Sequence, residues 1–82
     1  MNNSMNVVVD SPEKKIWEGK AEWVSSKNSV GPFDILPFHS NFITIIENET
    51  IKIKTEKEIK ELKFSISILY VHNNRVSIYV NI

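Results

Sequence analysis

Cysteine is absent from this 82-residue sequence, and glycine occurs only twice. The absence of cysteine excludes disulfide bonds, thiolate metal ligands and a thiol nucleophile. Gly19 and Gly31 cannot supply a glycine-rich phosphate-binding loop. A chain of this length forms one small domain, 1–82, whose core must be held by apolar packing alone.

An excess of charge of either sign is also missing. Ten basic residues balance ten acidic ones, and Arg75 is the sole arginine. Nucleic-acid readers carry clustered positive charge and use the forked contacts of arginine, so nucleic acid is not an expected partner. A neutral surface gives little colloidal repulsion, which is typical of a protein that works inside a complex.

Long apolar runs are absent as well. No stretch approaches the roughly 18 apolar residues that cross a bilayer, and residues 1–6 lack the basic and apolar regions of a signal peptide. The sequence therefore predicts neither a transmembrane segment nor a secretion signal, and favours a soluble cytosolic protein.

Short runs of alternating apolar and polar residues occupy most of the chain and predict roughly nine or ten strands. Gly19 is expected at a bulge or bend, and Ile16, Ala21 and Trp23 are expected to point inward. A helix at 56–62 is the only competing interpretation and is too short to stand alone. The expected fold is a single-domain, all-β sandwich of two sheets or a flattened barrel. The predicted strands are 7–10, 15–19, 20–26, 42–47, 50–55, 58–67 and 76–82, with local pairing at 69–71 and a turn at 72–75.

Residues 31–39 are the least sheet-like stretch, because they contain Gly31 and two of the three prolines. They predict a stiff loop that Ile35 and Leu36 anchor to the core. In that loop Phe33 and Phe38 are expected at the rim, where they suit docking onto another protein.

Two groups of residues form motifs with a family resemblance. The first group comprises Val8, Ser11, Pro12, Glu13, Ile16, Trp17, Gly19, Ala21 and Val24; the second comprises Gly31, Phe33, Ile35, Leu36, Pro37, His39 and Thr44. Together they resemble the motifs of the epsilon subunit of the rotary F-type ATP synthase, in its N-terminal β-sandwich domain. Asp34 and Phe38 depart from that pattern, since they stand where the family usually has glycine.

The resemblance implies two packed five-stranded sheets and a non-catalytic central-stalk subunit that couples ion flow, expected to be of protons, with ATP synthesis. Its partners would be the gamma subunit, near Ser11, His39 and Thr44, and the c-ring, near Gly31, Pro32, Phe33 and Phe38. The protein would reach the membrane only through the complex, on the cytoplasmic face of the inner (plasma) membrane. No cofactor, metal ion or small-molecule substrate is expected. Because the chain stops at Ile82, the inhibitory helical hairpin of the family is expected to be missing.

The residues alone leave other functions open. His39 would need an orienting carboxylate and a nucleophile for catalysis, or two or three further ligands for a metal, and the sequence offers only Asp34 nearby and His72 in a distant turn. His39 is therefore expected to be structural or to lie at a protein interface. A stand-alone β module that binds a peptide or ligand through Phe33 and Phe38 is the alternative function, and a small hydrolase is a more remote one.

Overall fold

Nine strands and no helix make up residues 3–81, the part of the chain that the computed structural model describes. They form two sheets, a five-stranded sheet in the order β2-β1-β9-β8-β5 and a four-stranded sheet in the order β4-β3-β6-β7. The predicted all-β sandwich is confirmed, but two five-stranded sheets are not, since one sheet has four strands. The strands are β1 Met5–Asp10, β2 Lys15–Ala21, β3 Trp23–Lys27, β4 Pro32–Ile35, β5 Phe42–Glu47, β6 Thr50–Lys54, β7 Ile59–Lys63, β8 Ile66–His72 and β9 Arg75–Val80.

The first and last strands are neighbours in the middle of the five-stranded sheet. β1 pairs in parallel with β9, from Asn6 opposite Arg75 to Asp10 opposite Tyr79, whereas every other strand pair among residues 3–81 is antiparallel. No helix in this range is long and apolar enough to span a membrane.

The strand directions give the sandwich two ends. At the first, which we call the Phe38 end, Ser4 precedes β1, the loop 36–41 joins β4 to β5, and the turn Asn73–Asn74 joins β8 to β9. At the second, the Val30 end, lie the turns at 11–14, 28–31 and 48–49. Surfaces at the two ends are therefore separated by the length of the strands.

The core lies between the inward faces of the two sheets, where alternate residues of most strands are buried. Ser67 differs from the apolar residues around it because it is polar. Its hydroxyl is buried and has no hydrogen-bond partner in the described residues. The fully buried apolar cluster consists of Met5, Val7, Val9, Ala21, Val24, Ile35, Ile46, Ile51, Ile53, Leu69, Val71, Val76, Ile78 and Val80.

The break between β2 and β3 differs from the prediction. It falls at Glu22, whose backbone N–H donates to the Lys54 carbonyl oxygen at 2.7 Å, and Gly19 continues β2 in register opposite Val7. The predicted bulge or bend at Gly19 is wrong, as is the inward position of Ile16, which is exposed; Ala21 is buried as predicted. Glycine is needed at position 19 because the Trp17 indole lies against it. A Cβ there would sit 2.7 Å from Trp17 Cζ2.

The predicted strand 58–67 is in fact two strands. The strand is interrupted at Phe64 and Ser65, whose carbonyl oxygens both accept from the Asn48 N–H, at 3.2 and 3.1 Å. The break reverses the alternation, so that Leu62 packs on the core from β7, whereas Ser67, Leu69 and Val71 point inward on β8.

The hairpin turn at 72–75 is confirmed. Asn73 and Asn74 have φ of 50° and 58°, as a two-residue turn between antiparallel strands requires. The strand predicted at 76–82 is β9, in which Val76, Ile78 and Val80 are buried, and Ile82 lies outside the described residues.

Candidate partner-binding surfaces

The segment predicted to be one stiff loop is partly a strand. Pro32–Ile35 form β4, an edge strand of the four-stranded sheet, in which Pro32 is the first residue and lies opposite Lys27. A proline is tolerated there because an edge strand has one side free of ladder bonds. Ile35 is buried as predicted. Phe33 is only half-buried, packs on the core, and meets Phe42 edge-to-face with ring centroids 5.4 Å apart.

At the Val30 end, the β3–β4 turn holds an apolar side chain in solvent. The N–H and C=O of Asn28 and Gly31 bond each other at 3.0 and 3.1 Å, and Asn28 Oδ1 accepts from the Val30 and Gly31 N–H groups. Asn28 Nδ2 also donates to Thr44 Oγ1 at 3.0 Å, which ties the turn to β5. Gly31 has a φ of 145°, which other residues rarely adopt, and Val30 is 93% exposed.

At the Phe38 end, one asparagine fixes the loop that follows β4. Asn74 Oδ1 accepts the Phe38 N–H at 2.8 Å, and Asn74 Nδ2 donates to the Ser4 carbonyl oxygen at 2.9 Å. We call this pair of bonds the Asn74 clamp. It holds Phe38 at a φ of 64°, with 74% of the residue exposed. Leu36 was expected to anchor this loop, which is wrong, since it is 56% exposed.

His39 has the contacts of a structural residue. Its Nδ1 lies 2.8 Å from the Ser40 carbonyl oxygen, its ring meets Phe42 edge-to-face at 5.8 Å, and its N–H donates to the Leu36 carbonyl oxygen. Within residues 3–81, no three His, Asp or Glu side chains come together as metal ligands.

The residues predicted to face the two partners do not form two groups. Ser11 lies in the turn at the Val30 end, where its hydroxyl donates to the Lys14 carbonyl oxygen, whereas His39 lies at the Phe38 end and Thr44 within β5. Of the residues predicted to face the c-ring, Gly31 and Pro32 lie at the Val30 end and Phe38 at the opposite end. The prediction that one stiff loop presents all of them is therefore wrong, while the contacts with partners remain predictions.

Sequence reasoning missed an apolar surface on the outside of the five-stranded sheet. We call it the isoleucine–tyrosine face. It lies across β5, β8 and β9, where Ile45 is opposite Ile68, and Ile68 is opposite Tyr79. Large exposed apolar patches mark interaction sites. The signal for it was present, since β5 and β8 carry apolar residues on both faces. Its side chains are the half-buried Ile68 and the exposed Ile43, Ile45, Ile66, Tyr70 and Tyr79.

The edge strands β2 and β7 carry three charged side chains each. The Lys15 ammonium donates to Glu18, and this hydrogen bond with the attraction between the charges lowers the pKa of Glu18 and raises that of Lys15. Both groups are exposed, so the pair contributes little stability. Lys60 lies 5.7 Å from the centroid of the Trp17 ring, which links β7 to β2 across the sandwich.

The sequence of the chain is similar to those of known proteins. The sequence model of the family described as ATP synthase, delta/epsilon chain, β-sandwich domain matches residues 4–82. The ATP synthase epsilon chain of Clostridium perfringens is 34% identical over 80 residues, and that of Brevibacillus brevis is 32% identical over 78 residues. These matches cover 96% and 93% of the chain but only 60% and 58% of the relatives, so the chain spans less than two thirds of their length.

Comparison of structures gives the same fold. A chain in a cryo-EM structure of the central stalk and c-ring of the Tetrahymena thermophila mitochondrial ATP synthase superposes with a TM-score of 0.81. The match covers 93% of this chain and 62% of that one, at 18% sequence identity. At that identity the likeness shows the fold alone.

Proposed function

The chain belongs to the family of ATP synthase delta/epsilon-chain β-sandwich domains, and on that basis we propose that it is a non-catalytic rotor subunit of a rotary ATP synthase. In this role it bridges the gamma subunit and the c-ring and couples proton flow with ATP synthesis. It joins the membrane only through that complex, on the cytoplasmic face.

The observation that carries the proposal is that exposed apolar residues are held rigidly at both ends of the sandwich. Val30 stands on a turn that Asn28 braces, and Phe38 stands on a loop that the Asn74 clamp fixes. A subunit that bridges two neighbours needs two contact surfaces that face away from each other. Rigid placement also matters, because a contact residue that is already ordered loses less entropy on binding.

The two ends are assigned to partners as follows. The turn with Val30, Gly31 and Pro32 faces the c-ring, and the loop with Phe38 and His39 faces the gamma subunit. This moves Phe38 from the ring side to the gamma side, because His39 closes the same hydrogen-bonded turn. Thr44 lies on β5, which begins at the Phe38 end, and extends the gamma-facing surface along the body.

Ser11 lies at the other end, so its predicted place near gamma requires that the gamma subunit also reach along the sandwich. The isoleucine–tyrosine face runs between the ends and supplies an apolar surface for such a contact. With this contact along the sandwich, Ser11, His39 and Thr44 all face the gamma subunit.

Co-purification tests the proposal. The chain is co-expressed with the gamma subunit and c-ring of its own organism, and the expected result is co-elution in size exclusion. Phe38→Ala should weaken binding to gamma about tenfold, as truncation of an interface aromatic does, and Val30→Ser should weaken binding to the ring instead. Ile59→Ala is the matched control, because Ile59 is also exposed but lies on β7, the edge strand on the other side of the four-stranded sheet from β4, which joins the Val30 turn to the Phe38 loop.

The melting temperature of the chain alone separates binding from folding. Phe38→Ala should change it little, since the ring is mostly in solvent. A folded chain that elutes apart from folded gamma and from the ring would contradict the proposal and leave a stand-alone binding module as the function to test.

A further inference from the structure

Four edge strands border the two sheets, and three of them are protected against pairing with another chain. β2 carries Lys15, Glu18 and Lys20, and β7 carries Lys60, Glu61 and Lys63. β4 has only four residues and begins with Pro32. Charges, proline and short length are the usual means by which an edge strand avoids edge-to-edge pairing.

The fourth edge strand, β5, has none of these features. Phe42–Glu47 has six residues, contains no proline, and carries no charge before Glu47. In the described part of the chain it pairs on one side only, with β8. A groove of about 550 Å³ lies against it, lined by Ser29, Ile43, Thr44, Ile45, Glu47 and Ile68.

We propose that β5 pairs with β5 of a second copy of this chain, in antiparallel fashion, with Thr44 of each copy opposite Thr44 of the other. The two five-stranded sheets then join into one continuous sheet across a two-fold axis. The inference uses the chain alone and does not depend on the rotor function.

The second copy is the occupant because the sequence of β5 is nearly symmetric about Thr44. With Thr44 on the axis, Ile43 of one copy lies opposite Ile45 of the other, on the outer face. Phe42 lies opposite Ile46 on the inner face, and Asn41 lies opposite Glu47. Directly opposed apolar residues stabilise an antiparallel pair, and no like charges meet.

Other registers fit less well. An axis through Ile45 places Ile43 opposite Glu47, and an axis through Ile43 places Asn41 opposite Ile45. A shift by one residue would set inward side chains against outward ones, because side chains alternate between the faces of a strand. The pairing also covers Ile43 and Ile45, which are exposed in the single chain.

Sedimentation of the purified chain tests the pairing. We expect a dimer whose fraction rises with protein concentration. Ile45→Lys should weaken it about tenfold, because both copies of the Ile43–Ile45 pair are lost. Ile59→Lys is the control, since Ile59 is 49% exposed on β7 and Ile45 is 55% exposed on β5; it should leave the dimer intact.

Cross-linking tests the register. Because the chain has no cysteine, Thr44→Cys introduces a single thiol, and directly opposed residues of an antiparallel pair lie within disulfide range. Mild oxidation should link Thr44→Cys chains into dimers, whereas Ile59→Cys should give only slow, random linkage. Circular dichroism checks that each variant remains folded.

Three results would overturn the inference: a chain that stays monomeric at high concentration, a dimer that survives Ile45→Lys, and a folded Ile59→Lys variant that is monomeric. The outcome is separate from that of the rotor proposal. A monomer that still binds gamma and the c-ring overturns only the dimer. A chain that dimerises when concentrated, but binds neither partner when diluted to monomer, overturns only the rotor function.

Discussion

Trp17 and Gly19 show how one residue can be required by the side chain of another. Both belong to the inward face of β2, two positions apart, and the six-membered ring of the indole lies over the glycine. Strand interiors usually disfavour glycine, except where something approaches the backbone closely. Here the approaching group is the chain's own tryptophan.

Gly19→Ala should therefore destabilise the protein by about 1–3 kcal/mol, the usual cost of forcing extra volume into a packed site. The new methyl group displaces the indole, whose fluorescence should shift. Urea denaturation measures the loss of stability. In the Trp17→Phe background, which lacks the atoms that meet the Cβ, the same glycine substitution should cost clearly less. An equal cost in both backgrounds would contradict this account.

Asp34 and Phe38 stand where the family usually has glycine, but their backbone conformations differ. Asp34 lies in the regular strand β4, whereas Phe38 has a left-handed backbone. A bulky residue at positive φ costs about 1–2 kcal/mol. The sequence showed both departures, but it could not tell which of them strains the backbone.

At the scale of elements, the turn between β8 and β9 does more than reverse the chain. Asn73 and Asn74 both supply the left-handed conformation, but only Asn74 also bonds the loop at Phe38 and the residue before β1. The turn therefore connects three segments that are far apart in sequence.

Asn74→Ala should lower the free energy of unfolding by about 1–3 kcal/mol more than Asn73→Ala does, since two hydrogen bonds are lost in addition to the turn preference. Hydrogen exchange at the Phe38 amide should speed up in Asn74→Ala and stay unchanged in Asn73→Ala. Equal exchange rates in the two variants would show that the clamp does not hold the loop.

The elements that could be predicted are those with a single apolar face. β6 and β9 alternate strictly, and the structure gives them nearly the predicted bounds. β8 is apolar on both faces, so its sequence did not show which face points inward. The interruption at Phe64 and Ser65 contains no glycine or proline that would have predicted it. β4 was not predicted, because it begins with Pro32. A proline is not expected inside a sheet, but it is tolerated as the first residue of an edge strand.

At the scale of the whole molecule, the order of the strands was beyond prediction. The isoleucine–tyrosine face exists only because β5 and β9 both flank β8, and no local pattern reports that arrangement. The separation of the Val30 end from the Phe38 end also follows from the course of the strands. Gly31 and Phe38 are close in sequence, but β4 carries the chain from one end of the sandwich towards the other.

The same topology should make folding slow. Asn74 bonds Ser4 across 70 positions, and β1 cannot pair with β9 until nearly the whole chain is in place. Sandwiches dominated by such distant contacts fold on the order of milliseconds to seconds. Stopped-flow fluorescence of Trp17 and Trp23 measures the rate, and folding within microseconds would contradict the expectation.

The parallel pairing of β1 and β9 has a mechanical consequence. The chain enters β1 at the Phe38 end and leaves β9 at the Val30 end, so a force that pulls its termini apart slides these two strands lengthwise past each other. Lengthwise sliding loads all the hydrogen bonds between the strands at once, whereas peeling would break them one by one. In an optical trap, the domain should resist tension applied through its own termini better than tension that peels β5 away from β8.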